Sequence, residues 1–173
     1  MHQRRAALIT AAILAAASFS AAGGAAHADE RVCRGSLGAI TVDNLRVPDR
    51  ATCKLNGTYV KGTIKVESGA TLTATKVRVI GNIQAEDHRK VTVNSSRVGG
   101  SIQIVQGGVP GIQSTGLTAN QVNGDIQLFE NVGSQAVSKN RVGGNLQCKE
   151  NRPAPTGSGN IVGGNKEDQC RRL

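Results

Sequence analysis

The stretch NRVGGNLQ, Asn140–Gln147, recurs along the chain with small changes. Aligned on its second glycine, the copies are Val60-Lys-Gly62-Thr-Ile-Lys, Val79-Ile-Gly81-Asn-Ile-Gln, Val98-Gly-Gly100-Ser-Ile-Gln, Val122-Asn-Gly124-Asp-Ile-Gln, Val142-Gly-Gly144-Asn-Leu-Gln and Val162-Gly-Gly164-Asn-Lys-Glu. The glycines are 19, 19, 24, 20 and 20 residues apart. A repeat of that period, too short to bury a core of its own, points to a solenoid in which each copy covers its neighbours. The 24-residue step carries its surplus in the turn-rich Gln106-Gly-Gly-Val-Pro-Gly111, expected to bulge from one corner without breaking the stacking.

Within a copy the alternation has period two. Val98, Gly100, Ile102 and Ile104 share one side, as do Val122, Gly124, Ile126 and Leu128, with polar residues between them. That is the pattern of a strand. Seven residues before each glycine stand Leu55, Ala74, Val93, Leu117 and Val137, so every coil has two separated apolar segments facing one interior. These features predict an all-β fold, a single-stranded parallel β-helix with coils of about 19–20 residues. The general crossover rule makes it right-handed. The chain has no Trp, one Tyr and two Phe, so the interior must be filled by Val, Ile, Leu and Ala on many short strands.

Residues 1–28 read as a removable leader. Arg4 and Arg5 form a positive start, residues 6–22 are an Ala-rich apolar run, and Ala26-His27-Ala28 is a small-residue cleavage signal. A secreted or extracytoplasmic mature chain, residues 29–173, is then one β-helix domain without membrane insertion, with a turn insertion near 106–111 and a C-terminal cap from about residue 165. Residues 1–28 hold two arginines and no acid, so the formal charge falls from +9 to +7 on removal.

Cys33 and Cys53 are 20 residues apart, Cys148 and Cys170 are 22 apart, and each gap is about one coil. In an oxidising compartment this predicts two local disulfides between vertical neighbours, one locking each end. A zinc site has little behind it: no C-x-x-C pair occurs, and His88 is the single histidine beyond the leader. Neither a metal nor a cofactor is indicated. Lys166 and Asp168 replace apolar residues in the last copy, which ends the column there and leaves Cys170 and Arg171-Arg172-Leu173 to cover it.

Like residues recur on like. Asn120, Asn140 and Asn160, four residues before their glycines, predict a structural amide ladder at a corner. Lys65, Gln84, Gln103, Gln127, Gln147 and Glu167 form a second column that the alternation places outside, read as a hydrogen-bonding ladder in solvent. The repeated glycine is placed on the inward side, at a bend that needs no side chain.

For function, two classes compete. Arg78, Arg97 and Arg141, each three residues before its glycine, make a partial basic stripe suited to an anionic envelope polymer or polysaccharide. Nucleic acid is excluded as partner, because almost no aromatics are present to stack on bases. The alternative is an acidic-polysaccharide lyase or hydrolase using Glu130 and Glu150 on the outer face, where Asn131 and Asn151 beside them could complete a Ca²⁺ site. No catalytic residue is assigned, since solvated turn carboxylates account for both glutamates. Ice binding, suggested by Thr71-Leu-Thr73-Ala-Thr75, fails because the Thr-x-Thr pattern does not recur in the other coils.

The pattern over residues 37–165 resembles the single-stranded right-handed β-helix class, and in coil size it is similar to bactofilins, polymer-forming β-helical scaffold proteins. The segments NLQCKEN (145–151) and GGNKEDQC (163–170) are also similar to small exported actinobacterial proteins of unassigned function. The bactofilin resemblance implies a scaffold. Bactofilins are cytoplasmic and polymerise through apolar ends, whereas the leader and the charged C-terminal end of this chain favour an exported, non-catalytic monomer.

Overall fold

The structure, a computed structural model, describes residues 29–173; the leader assigned to residues 1–28 lies outside the described residues. The chain winds as a parallel β-solenoid whose coils each contribute to three parallel sheets, of eight, six and seven strands. The eight-stranded sheet stacks Ile83–Glu86, Ile102–Val105, Ile126–Phe129 and Leu146–Lys149 and carries the Gln column outside, so we call it the glutamine face. The six-stranded sheet holds Thr71–Thr75 and Lys90–Asn94 and is the threonine face. The seven-stranded sheet is made largely of two-residue strands, Arg78–Val79, Arg97–Val98, Gln121–Val122 and Arg141–Val142, and is the arginine face.

The stretch from Val98 to Ile104 is therefore two strands, not the one that alternation suggests. The chain turns a corner between Val98 on the arginine face and Ile102 on the glutamine face. Both side chains still point inward, because the corner rotates the strand direction without inverting the pleat. Inside, Ile64, Ile83, Ile102, Ile126 and Leu146 stack in one column and Val60, Val79, Val98, Val122 and Val142 in another. All are buried. The insertion after Gln106 leaves this intact: Ile102 stays in register with Ile126, Thr92 with Gly116, and the surplus appears as a register shift between Gln113 and Thr115.

Each corner has its own polar ladder. Leaving the threonine face, the chain turns on Gly57, Lys76, Ser95, Ala119, Lys139 and Gly159, all with positive φ, and the next residue faces inward. There the predicted amide ladder forms. The Asn120 main-chain N–H and Nδ2 both donate to Asn140 Oδ1 at 3.0 Å, and the same pair of bonds joins Asn140 to Asn160. Their amides also reach interior carbonyls, Asn120 to Val93 O and Asn140 to Leu117 O. Leaving the glutamine face, the chain turns on Asp87, Gln106, Glu130 and Glu150, again with positive φ, and a shorter ladder of Asn131, Asn151 and Gln169 follows.

The third corner explains the repeated glycine, and the expected reason needs correction. The half-buried glycine is needed because the polar side chain after the preceding coil's glycine occupies the space of its Cβ. Asn82 Oδ1 accepts from Ser101 N–H at 2.8 Å, Ser101 Oγ from Asp125 N–H at 3.0 Å, and Asn145 Oδ1 from Asn165 N–H at 2.8 Å. A Cβ on Gly144 would overlap Asp125 Oδ1, and one on Gly81 would lie 2.7 Å from Gly62 O. Gly144→Ala should therefore destabilise the fold by about 1–3 kcal/mol, the usual cost of overpacking. Gly38→Ala, with nothing within 4 Å of its Cβ, should leave the denaturation midpoint unchanged.

Both disulfides form as paired, Cys33–Cys53 and Cys148–Cys170, with Cα separations of 5.6 and 5.2 Å. They do not join vertical neighbours. Gly35 stands over Cys53 and Asp168 over Cys148, so each bridge runs diagonally through the buried end of the core. At the C-terminal end Leu173 is buried against the core, and the Lys166 ammonium donates to the Leu173 main-chain oxygen.

Candidate anion-binding edge

The corner between the threonine and arginine faces projects a column of side chains from one coil to the next. Tyr59, Arg78, Arg97, Gln121, Arg141 and Ile161 are successive partners on the arginine face. Arg78 and Arg97 are adjacent, whereas Gln121 separates Arg97 from Arg141, so the basic column falls into two groups. The Arg78 guanidinium lies 5.3 Å from the centre of the Tyr59 ring, a cation–π contact that holds it over the aromatic face.

Two further cations stand at this edge that the sequence did not assign to it. Lys76 and Lys139 occupy the left-handed apex of the corner, two residues before Arg78 and Arg141, and are exposed. Their common place, five residues before the repeated glycine, was visible in the spacing. Lys76, Arg78, Arg97, Lys139 and Arg141 form no ion pair among the described residues; the pairs lie elsewhere, as in Lys61–Asp43 at 2.9 Å and Arg46–Glu30 at 2.7 Å. The contrast has an electrostatic consequence: the Asp43 carboxylate holds the Lys61 ammonium's pKa above its ordinary value, while the edge keeps its charge facing solvent.

The Gln column lies where alternation put it. Its amides donate in sequence, Gln84 to Gln103 at 3.1 Å, Gln103 to Gln127 at 2.9 Å, Gln127 to Gln147 at 2.8 Å and Gln147 to the Glu167 carboxylate at 2.8 Å. Each side chain is thus engaged by its neighbour, which leaves less hydrogen-bonding capacity for a ligand.

Glu130 and Glu150 stand one above the other and line an open depression of about 240 Å³ with Val132 and Arg152. The arginine is one of the basic residues that the sequence sets beside these turns to balance their charge. The calcium set raised with the enzyme alternative does not assemble, however. Asn131 and Asn151 point the other way, into the interior ladder, and are 0% and 2% exposed. The pleat decides this, since the residue after the left-handed corner must face inward. Gln106 donates to Glu130 at 3.0 Å and the Lys149 ammonium lies 3.8 Å from Glu150.

His88 occupies the same inward corner position one coil before Gly107. It is 1% exposed, its two ring nitrogens have no partner among the described residues, and a Cβ on Gly107 would overlap its ring. Burial pushes its pKa down to about 4 against a smaller opposing pull from Asp87. It sits in the core, away from the basic edge, and is structural.

The chain matches no protein-family model, no curated protein and no solved structure.

Proposed function

We propose that the protein is an exported, non-catalytic β-solenoid, a scaffold whose basic edge binds anionic polymer of a cell envelope or an acidic polysaccharide. One observation carries this reading: five cations, Lys76, Arg78, Arg97, Lys139 and Arg141, line one edge of a rigid column with no carboxylate partner among the described residues. A guanidinium keeps its charge and offers forked donors to carboxylate or phosphate, whereas the amide ladder on the glutamine face offers little that water does not. Export is supported by the composition of residues 1–28 and by two disulfides, which persist in oxidising compartments.

Retention of the protein on an immobilised acidic polysaccharide should fall steeply between low and physiological salt, because exposed charges are screened within a Debye length of ~8–10 Å. Arg78→Gln, Arg97→Gln and Arg141→Gln together should abolish it, while Gln103→Ala with Gln127→Ala leaves it intact. Retention that ignores salt or survives the triple substitution overturns the reading. New reducing or unsaturated ends released from the polymer, and lost in Glu130→Gln or Glu150→Gln, would replace it with the enzyme.

A further inference from the structure

Beside the cation column runs a neutral one. On the threonine face, Asn56, Thr75, Asn94, Thr118 and Ser138 are successive partners in register, and each immediately precedes the left-handed apex of the same corner that presents the cations. Every side chain in that column is a hydroxyl or an amide, and all are exposed or half-buried. The edge therefore has two parallel tracks. One carries the donor-only guanidiniums of Arg78, Arg97 and Arg141, the other groups that both donate and accept. Three of its five members are Thr or Ser, small side chains on regular strands that lose little freedom when a ligand is bound.

Resting on the reading of this edge as an anion site, we infer that its ligand is an extended uronate-type polysaccharide lying parallel to the column axis. A chain running along the axis meets equivalent groups every ~4.8 Å, the spacing of strands in a sheet, close to the advance of one sugar ring in an extended chain. A chain crossing the edge meets each track once. Carboxylates on one side of the polymer fit the arginine track and ring hydroxyls on the other fit the Thr and Asn track. Polyphosphate carries no hydroxyls and so uses the cations alone. Tyr59, half-buried under Arg78, supplies an aromatic flank at one end of the site.

The gap at Ala119 and Gln121 sets a length. Arg78 and Arg97 form one cationic group and Arg141 the other, and Arg78 to Arg141 is three coil steps, ~14 Å. An oligosaccharide of about four units spans all three arginines; a shorter one leaves at least one of them unengaged. Linking the two contacts makes the second effectively intramolecular.

Calorimetric titration of the whole protein with uronate oligosaccharides of increasing length, and with inorganic polyphosphate, tests this at low salt. Affinity for the uronates should rise by roughly tenfold or more on passing about four units and then level off. Thr75→Val with Thr118→Val keeps the β-branched shape and removes two hydroxyls; it should weaken the uronates several-fold and leave polyphosphate unchanged. Affinity independent of length, or a Thr-to-Val pair without effect on uronates, overturns the inference while the basic edge stands. Loss of neither ligand in the triple arginine variant overturns the basic edge itself.

Discussion

Replacing Asn140 by Leu is expected to lower stability by about 4 kcal/mol. Leu has the same branched side-chain skeleton as Asn, so the overall shape is kept and the loss is chiefly polar. The substitution strips the Leu117 carbonyl of its donor and the Asn120 main-chain N–H of its acceptor, both deep inside a dry corner. Each orphaned buried group costs about 1–3 kcal/mol, and Asn120 Nδ2 loses one of its two bonds as well. Asn140→Ser should lose less, because Ser96 already fills the equivalent place two coils earlier and its Oγ accepts from Val77 N–H at 3.1 Å. Denaturant unfolding of both variants measures the difference. A Leu variant within 1 kcal/mol of the parent would mean that the ladder is ornamental.

The second large effect is on acid stability. His88 has a folded pKa of about 4 against an ordinary 6.5, since burial without a hydrogen-bond partner disfavours the imidazolium. The folded state therefore binds this proton less readily than the unfolded chain. Its contribution is fully present above pH 6.5, declines as pH falls through the window from 6.5 to 4, and is gone below it. The span is worth about 3 kcal/mol. His88→Leu should remove that part of the slope, so the stability difference between parent and variant should shift by about this amount between pH 7 and pH 4. Parallel pH profiles for the two proteins would show that the imidazole is solvated in the native state.

Period and pairing were legible in the sequence because each coil repeats its neighbour's needs. The Val, Ile and Leu columns, the Asn120–Asn160 ladder, the Gln column, both disulfide pairings and the cap at Lys166 could all be read from spacing. Three features were not. The corner between Val98 and Ile102 was hidden, since a corner that keeps both side chains inward looks like an uninterrupted alternation. The reason for the glycine lay one coil away, in Asn82 or Asp125, and only stacking reveals what fills the space of its Cβ. The Asn131 and Asn151 side chains were assigned to the outside with Glu130 and Glu150 because a left-handed residue at the corner shifts the pleat, and φ is not written in residue type. At the candidate edge, the arginine column was legible in the spacing, but Lys76 and Lys139 were not assigned to it, being aligned with Ser95 and Ala119 in a column of mixed chemistry.

The two bridges also decide where the molecule would first come apart. A solenoid ordinarily unravels from its tips, where a coil has one neighbour to hold it instead of two. Here each tip is stitched to the coil beneath it, Cys33 to Cys53 and Cys148 to Cys170. The weakest seam moves to the middle. There the 106–111 bulge departs, Thr115 and Gln135 replace Leu72 and Val91 in the interior column, and Thr115 Oγ1, Gln135 Oε1 and the His88 nitrogens have no partner among the described residues. Opening at that seam would part the column into two stitched halves, so a protease would meet its first loosened bonds in the body of the molecule and not at its ends.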